Sequence, residues 1–186
     1  MGSSYLIFVP HTKLLFILTL FLAIFACSEA TLDHGLLQET NITLYIHDYF
    51  TGPNATNIAI GNPPDDHWAV DDFGTMYCKD SPMTETADPE SDYVGRAQGT
   101  FVSAALDGSS SQVVMSLVFE TDEYQGSTLQ IQGAGSQNHR VKELSVVAGT
   151  GGFRYARGYA TSETIYYDRE ANYSVAEWNV TMEHFK

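Results

Sequence analysis

Apolar and polar residues alternate along most of the chain beyond residue 40, and Gly, Pro, Asn and Asp interrupt the alternation at short intervals. A period of two sends successive side chains to opposite faces of a strand, and the 3.6-residue period of a helix is almost absent. The pattern predicts strands near Thr43–Phe50, Phe73–Lys79, Val94–Ala105, Gln112–Glu120, Ser127–Gln132, Val141–Val147, Gly152–Ala160 and Tyr173–Glu183. Turn signals such as Thr51-Gly52-Pro53-Asn54, Asp107-Gly108-Ser109 and Gly133-Ala134-Gly135 separate them. About eight short strands joined by tight turns predict an all-β domain, an antiparallel barrel or sandwich. Closure into a barrel would remove the exposed edges that a chain with few charges guards poorly. The acidic segment Thr84–Asp92 reads as a solvated loop, and no internal repeat divides the chain.

One segment does not alternate. Lys13 precedes an apolar run from Leu14 to Ala26, interrupted only by Thr19 and followed by the small residues Ser28 and Ala30. A basic flank, an apolar stretch and a small-residue site describe a secretory signal peptide, cleaved after about Ala30. The run is short of the roughly 20 residues that a spanning helix needs. Residues 31–186 are therefore expected to form the mature domain, secreted to the extracellular space with no membrane association. The sequons at Asn41, Asn54, Asn172 and Asn179 agree with secretion and require those side chains to be exposed if glycosylated. Cleavage removes Cys27 and leaves Cys78 without an intrachain partner, and its apolar surroundings predict a buried, inert thiol.

Composition narrows the partners. The chain carries 9 Lys and Arg against 23 Asp and Glu, a formal net charge of −14, and no basic stripe. Nucleic acid is excluded as a partner, because phosphate binding needs clustered cations to displace counterions. Hydrophobic residues make up 44% of the chain, enough for a packed domain and too much for a disordered one.

The alternation breaks its own rule at two places. Ile42, Leu44, Ile46 and Asp48 share a face, so Asp48 continues an apolar row. Near the end of the chain Phe153, Tyr155, Arg157 and Tyr159 share another, which sets Arg157 among aromatic rings. A carboxylate and a guanidinium directed inward are natural partners, since an unpaired buried charge is very costly. Asp48 and Arg157 are thus the candidate catalytic pair, with Phe153, Tyr155 and Tyr159 as candidate walls for a phenolic ligand. For either charge alone, a structural salt bridge at a barrel rim is the plainer alternative.

Other motifs lead nowhere. Gly149-Thr150-Gly151-Gly152 lacks the Lys-Ser/Thr of a phosphate loop and reads as a turn. Asp88-Pro89-Glu90-Ser91-Asp92 has Pro89 where a calcium loop needs different geometry. The six His residues form no HxH or HExxH cluster, and GxSxG is absent. The motifs call for no metal, flavin, haem or nucleotide cofactor.

Three separated segments resemble the signature of plant dirigent proteins: Leu44-Tyr45-Ile46-His47-Asp48-Tyr49-Phe50-Thr51-Gly52, Val94-Gly95-Arg96-Ala97-Gln98-Gly99 and the stretch from Leu144 to Gly158 containing Gly149-Thr150-Gly151-Gly152-Phe153. The resemblance implies an eight-stranded antiparallel β-barrel, similar to allene oxide cyclase, assembled as a homodimer or homotrimer in the apoplast. It implies stereochemical guidance of phenoxy radical coupling, from monolignols towards optically active lignans, with a separate laccase or peroxidase as oxidant. It also implies that Asp48 and Arg157 line the pocket. The chain departs from lignan-forming members at Gly152, where many carry Asp, at Asp80-Ser81-Pro82-Met83-Thr84, and at Phe101, where Tyr is common. His47–Gly52 and Gly126–Gly133 resemble instead members that dehydrate isoflavanols through a quinone methide, the pterocarpan synthases. A non-catalytic secreted carrier or defence module is the third expectation.

Overall fold

A computed structural model of the chain describes residues 37–61 and 69–185, within the unit that runs from Leu37 to Lys186. The expected signal peptide at residues 1–30 lies outside the described residues. Nine strands follow one another: β1 (Leu37–Tyr49), β2 (Asn57–Gly61), β3 (Met76–Thr84), β4 (Tyr93–Ser103), β5 (Ser110–Phe119), β6 (Thr128–Ser136), β7 (Val141–Thr150), β8 (Arg157–Asp168) and β9 (Tyr173–Phe185). Every neighbouring pair is antiparallel, in the order β1-β9-β8-β7-β6-β5-β4-β3-β2, and a β1–β3 pairing closes the sheet. The result is an eight-stranded barrel, as the family resemblance implies, and it decides between the barrel and the sandwich that the alternation leaves open. β2 lies on the edge of β3 that β1 vacates.

The closing seam is short. β1 meets β3 only at Tyr45–Thr84 and Ile46–Met83, and further along that edge β2 takes over, from Asn57–Lys79 to Gly61–Met76. Between these two ladders the turn of residues 50–56 keeps the backbone paired, with Thr56 N–H donating to Tyr49 and Asp80 N–H to Thr56, each at 2.8 Å.

The inward positions divide the barrel in two. In one half they are large and apolar: Leu44, Met83, Leu117, Leu129, Ile131, Val146, Val180 and Met182 are all buried there. Phe153 plugs that end, fully buried, with its ring centroid 5.1 Å from Phe119, 4.7 Å from Tyr124 and 5.4 Å from His184. Glycines let the strands of this wall approach closely; a Cβ at Gly99 would collide with the Val114 carbonyl, and one at Gly158 with that of Thr181. In the other half small and polar inward residues stand between a few larger ones, and the barrel is hollow.

Sequence and structure part at three places. β2 is unforeseen, because its apolar residues Ile58 and Ile60 face solvent while small Asn57, Ala59 and Gly61 form its other face. The strand expected over Gly152–Ala160 begins only at Arg157, since Gly151–Phe153 form a 3₁₀ turn and Tyr155 sits in the left-handed region at φ 65°. Cys78, expected to be buried, is exposed on the outer face of β3, because its neighbours Tyr77 and Lys79 take the inner one.

His47, one residue from Asp48 and on the opposite face, is 1% exposed. Its Nε2 lies 2.7 Å from Thr84 Oγ1, whose hydroxyl donates to the Thr86 carbonyl. Thr84 must therefore accept from Nε2–H, and Nδ1 is left to accept from the Tyr173 hydroxyl at 2.7 Å. Burial pushes Tyr173 up to about 12, which keeps that hydroxyl a donor. Burial also holds His47 below its ordinary 6.5, against the opposing pull of Asp48 and Asp88.

Two outcomes follow from this packing. Phe153→Ala should cost about 3–5 kcal/mol, read by denaturant unfolding, because it empties the plug of the closed end. Unfolded His47 takes up a proton before the folded residue does, so its contribution to stability is complete above about 6.5 and shrinks as pH falls towards the folded value. Unfolding midpoints measured between about pH 7 and about pH 5 should fall for the wild type and fall less steeply for His47→Gln.

Candidate functional site

The hollow half of the barrel holds a cavity of about 190 Å³, lined among others by Asp48, Phe50, Lys79, Phe101, Met115, Lys142, Leu144, Ser162, Ser174 and Trp178. Each lining strand supplies alternate residues. Asp48 faces Ser174 across the β1–β9 ladder, Lys142 faces Ser162 across β7–β8, and Phe101 faces Val113 across β4–β5. Aromatic side chains gather at one side, where Phe101 stacks on Tyr77 at 4.8 Å and Phe50 meets Tyr77 edge-on at 6.4 Å.

Asp48 is the one carboxylate of this wall among the described residues. Its side chain is 13% exposed and that of its partner Lys79 12%, with Lys79 Nζ 2.8 Å from Oδ1 and 2.9 Å from Oδ2. Ser81 Oγ donates to Oδ1 at 2.6 Å and Asn57 Nδ2 donates to the same oxygen at 2.9 Å. Burial pushes the Asp48 carboxyl upward, but the Lys79 charge and these hydrogen bonds outweigh it and hold the group below its ordinary value. Asp48 is therefore an ionised, fully engaged carboxylate whose donors come from β2 and β3, across the seam.

Lys142 is the second cation of the cavity. Its Nζ meets only the side-chain oxygen of Gln137, at 3.3 Å, and has no carboxylate within ion-pairing distance among the described residues. Burial, and after it the charge of Lys79, hold Lys142 below its ordinary value.

The expected Asp48–Arg157 pair does not form. Arg157 lies on the outer face of β8, exposed, and its Nη1 donates to the carbonyl of its neighbour Ala156 at 2.8 Å. Its cross-strand partner is Glu183, whereas Asp48 faces Ser174 on the same strand β9. Those two positions are nine steps apart along β9, roughly 30 Å at about 3.3 Å per residue. The aromatic row fails for the same reason. Because the 3₁₀ turn breaks the period between Phe153 and Arg157, Phe153 enters the packed core while Tyr155 and Tyr159 are 67% and 47% exposed. None of the three lines the cavity. Of the sequons, Asn41, Asn54 and Asn179 are exposed and Asn172 is half-buried in a left-handed turn at φ 47°.

Lys79, Lys142 and Trp178 belong to the site and were not among the sequence candidates; a charge in an apolar row marks Lys142, and marks Lys79 only once β3 extends to Thr84, whereas Trp178 carries no such signal. Lys79 shares a face with Tyr77, Ser81 and Met83, and Lys142 with Leu144 and Val146.

Comparison with known proteins agrees with this architecture. A family model described as Dirigent-like protein matches residues 39–183. Dirigent protein 23 of Arabidopsis thaliana is 37% identical over 82% of this chain and 81% of its own length. Pterocarpan synthase 1 of Glycine max is 31% identical over 80% of each chain. The solved structure of the pterocarpan synthase dirigent protein GePTS1 superposes with a TM-score of 0.75 and 31% identity, covering 81% of this chain and 92% of that one.

Removing one half of a buried ion pair strands the other. Lys79→Met should destabilise the fold by about 3–5 kcal/mol. Adding Asp48→Leu to it should recover part of the loss, so a double-mutant cycle read by chemical denaturation should show clear coupling. Additive losses would contradict the pairing.

Proposed function

We propose that this chain, which belongs to the dirigent family, binds a phenolic aromatic in the cavity of its barrel and fixes the face on which that ligand reacts. The carrying observation is a chamber with Phe50, Phe101 and Trp178 in its wall and a single ion-paired carboxylate, Asp48. Apolar contact orients the ring, and a few directional polar groups set its register. Little energy is needed, because about 1.4 kcal/mol between two poses is a tenfold preference. In this reading the oxidant is a separate laccase or peroxidase, which delivers phenoxy radicals to the barrel. The proposal also carries secretion to the apoplast, supported by the leader-like run of residues 14–26 and the four sequons, and assembly as a homodimer or homotrimer.

A second reading, dehydration of an isoflavanol through a quinone methide, is favoured by the size of the chamber. At about 190 Å³ it is smaller than the roughly 300–1,000 Å³ of drug-sized pockets and suits one ring system at a time. Radical coupling in this space means one guest per barrel, with the second radical arriving through the mouth. A lyase needs only the one guest. Asp48 would accept the phenol proton and return a proton to the departing hydroxyl, which leaves as water, and the ammonium groups would steady developing phenolate charge.

One assay separates the two. Coniferyl alcohol oxidised by an added laccase should give an optically active product when the protein is present, resolved on a chiral column, and Asp48→Ala should return the product towards racemic. A racemic product with wild-type protein, together with turnover of an isoflavanol without any oxidase, would replace the first reading with the second.

A further inference from the structure

Lys142 is the charge that the barrel leaves unanswered. The cavity wall carries three charged side chains among the described residues, Asp48, Lys79 and Lys142, and Asp48 is already held by Lys79. An ammonium has three donors, and Lys142 fills one of them with the Gln137 oxygen at a long 3.3 Å. Its stem lies against Gly135, where a Cβ would sit 3.4 Å from Lys142 Cδ, and the same two residues appear together in the cavity wall. A second donor of that wall is also unpaired: the indole N–H of Trp178, 6% exposed, has no acceptor. A buried ammonium with one long hydrogen bond and an indole N–H without an acceptor, in a chamber whose one carboxylate is already engaged, ask for an oxygen that carries charge.

We propose that Lys142 anchors the ionised phenol oxygen of the aromatic ligand, so that the cavity selects phenolates over neutral aromatics of the same shape. The assignment rests on the cavity being the ligand site. It gives the three charges distinct work: the Asp48–Lys79 pair is internally neutral and positions itself, while Lys142 binds. Burial and the neighbouring Lys79 charge, which now hold Lys142 below its ordinary value, would both be offset by an anion at its side. A chain with a net charge of −14 does not draw anions to its surface, so the attraction is confined to the chamber.

The probes are para-nitrophenol, whose absorption reports whether it is ionised, para-nitroanisole, which has the same ring and no acidic proton, and trans-cinnamate. At a pH where free para-nitrophenol is mostly protonated, wild-type protein should bind it as the phenolate. Its affinity should exceed that for para-nitroanisole at least about tenfold, or about 1.4 kcal/mol. Lys142→Met should lose the phenolate band and the tenfold preference while binding para-nitroanisole as the wild type does, which also shows that the variant is folded. Lys142→Arg should keep the band. A phenolate band that survives in Lys142→Met, or equal affinity of the wild type for para-nitrophenol and para-nitroanisole, overturns the assignment and leaves the cavity reading standing. Tighter Lys142-dependent binding of cinnamate than of para-nitrophenol overturns the phenol as the ligand group. If none of the three binds wild-type protein, the cavity reading fails and this inference with it.

Discussion

A carboxylate inside a barrel has to find its donors on other strands, and here it finds them across the one place where the sheet is weakest. The β1–β3 ladder has two residue pairs before β1 turns away. Continued in register, the next inward pair would be Asp48 opposite Ser81, and that is where the Ser81 hydroxyl donates to the carboxylate at 2.6 Å. Lys79, one inward position further, adds a salt bridge, and Asn57 adds an amide from β2. The turn of residues 50–56 supplies the backbone partners there, and these side-chain bonds add ties between β1 and the edge formed by β2 and β3. Closure of the barrel and ionisation of Asp48 are therefore one arrangement, and a change to either disturbs the other.

The same arrangement decides the electrostatics of the chamber. Asp48 takes part as half of a compensated pair with both oxygens occupied, so its first role is structural and its availability as a base depends on what the ligand displaces. Lys142 has the opposite character, buried enough to be discouraged from carrying charge and yet without an acid to meet. Pairing the acid at the seam with Lys79 thus leaves the cavity with one excess cation among the described residues.

How much of this can be read from the sequence follows from what alternation does and does not encode. It located most strands and put Asp48 inside, because a single charge in the row Ile42, Leu44, Ile46 is conspicuous. Lys79 stood at the end of its predicted strand and Lys142 near the start of another, where a lysine ordinarily snorkels to solvent. Only the observed extension of β3 to Thr84 and the closure of the sheet turn Lys79 inward. Arg157 failed for a different reason. Phase is preserved along a strand but lost through a turn, and the 3₁₀ turn with left-handed Tyr155 separates Phe153 from the residues that follow. The family resemblance carried the barrel correctly, and it attached a pocket role to Arg157 that this geometry does not reproduce.

The position of the hollow is itself written in side-chain size. On β8 Ser162 faces into the hollow half, whereas Ala160 lies in the packed core, and the tyrosines stand outside. Towards the cavity Ser111, Gly135, Ser162 and Ser174 face in, and at the other end Leu117, Leu129, Val146 and Val180 do. Strands of fixed spacing enclose a fixed width, so small residues leave space and branched ones fill it. Phe153 then seals the filled end, which leaves the mouth at the hollow one. A guest entering that mouth meets the aromatic side and the unmatched ammonium before it reaches a wall of packed aliphatic side chains, which limits how it can lie. The restriction of pose, on which any stereochemical control must rest, is set by where the inward row changes from serine and glycine to leucine and valine.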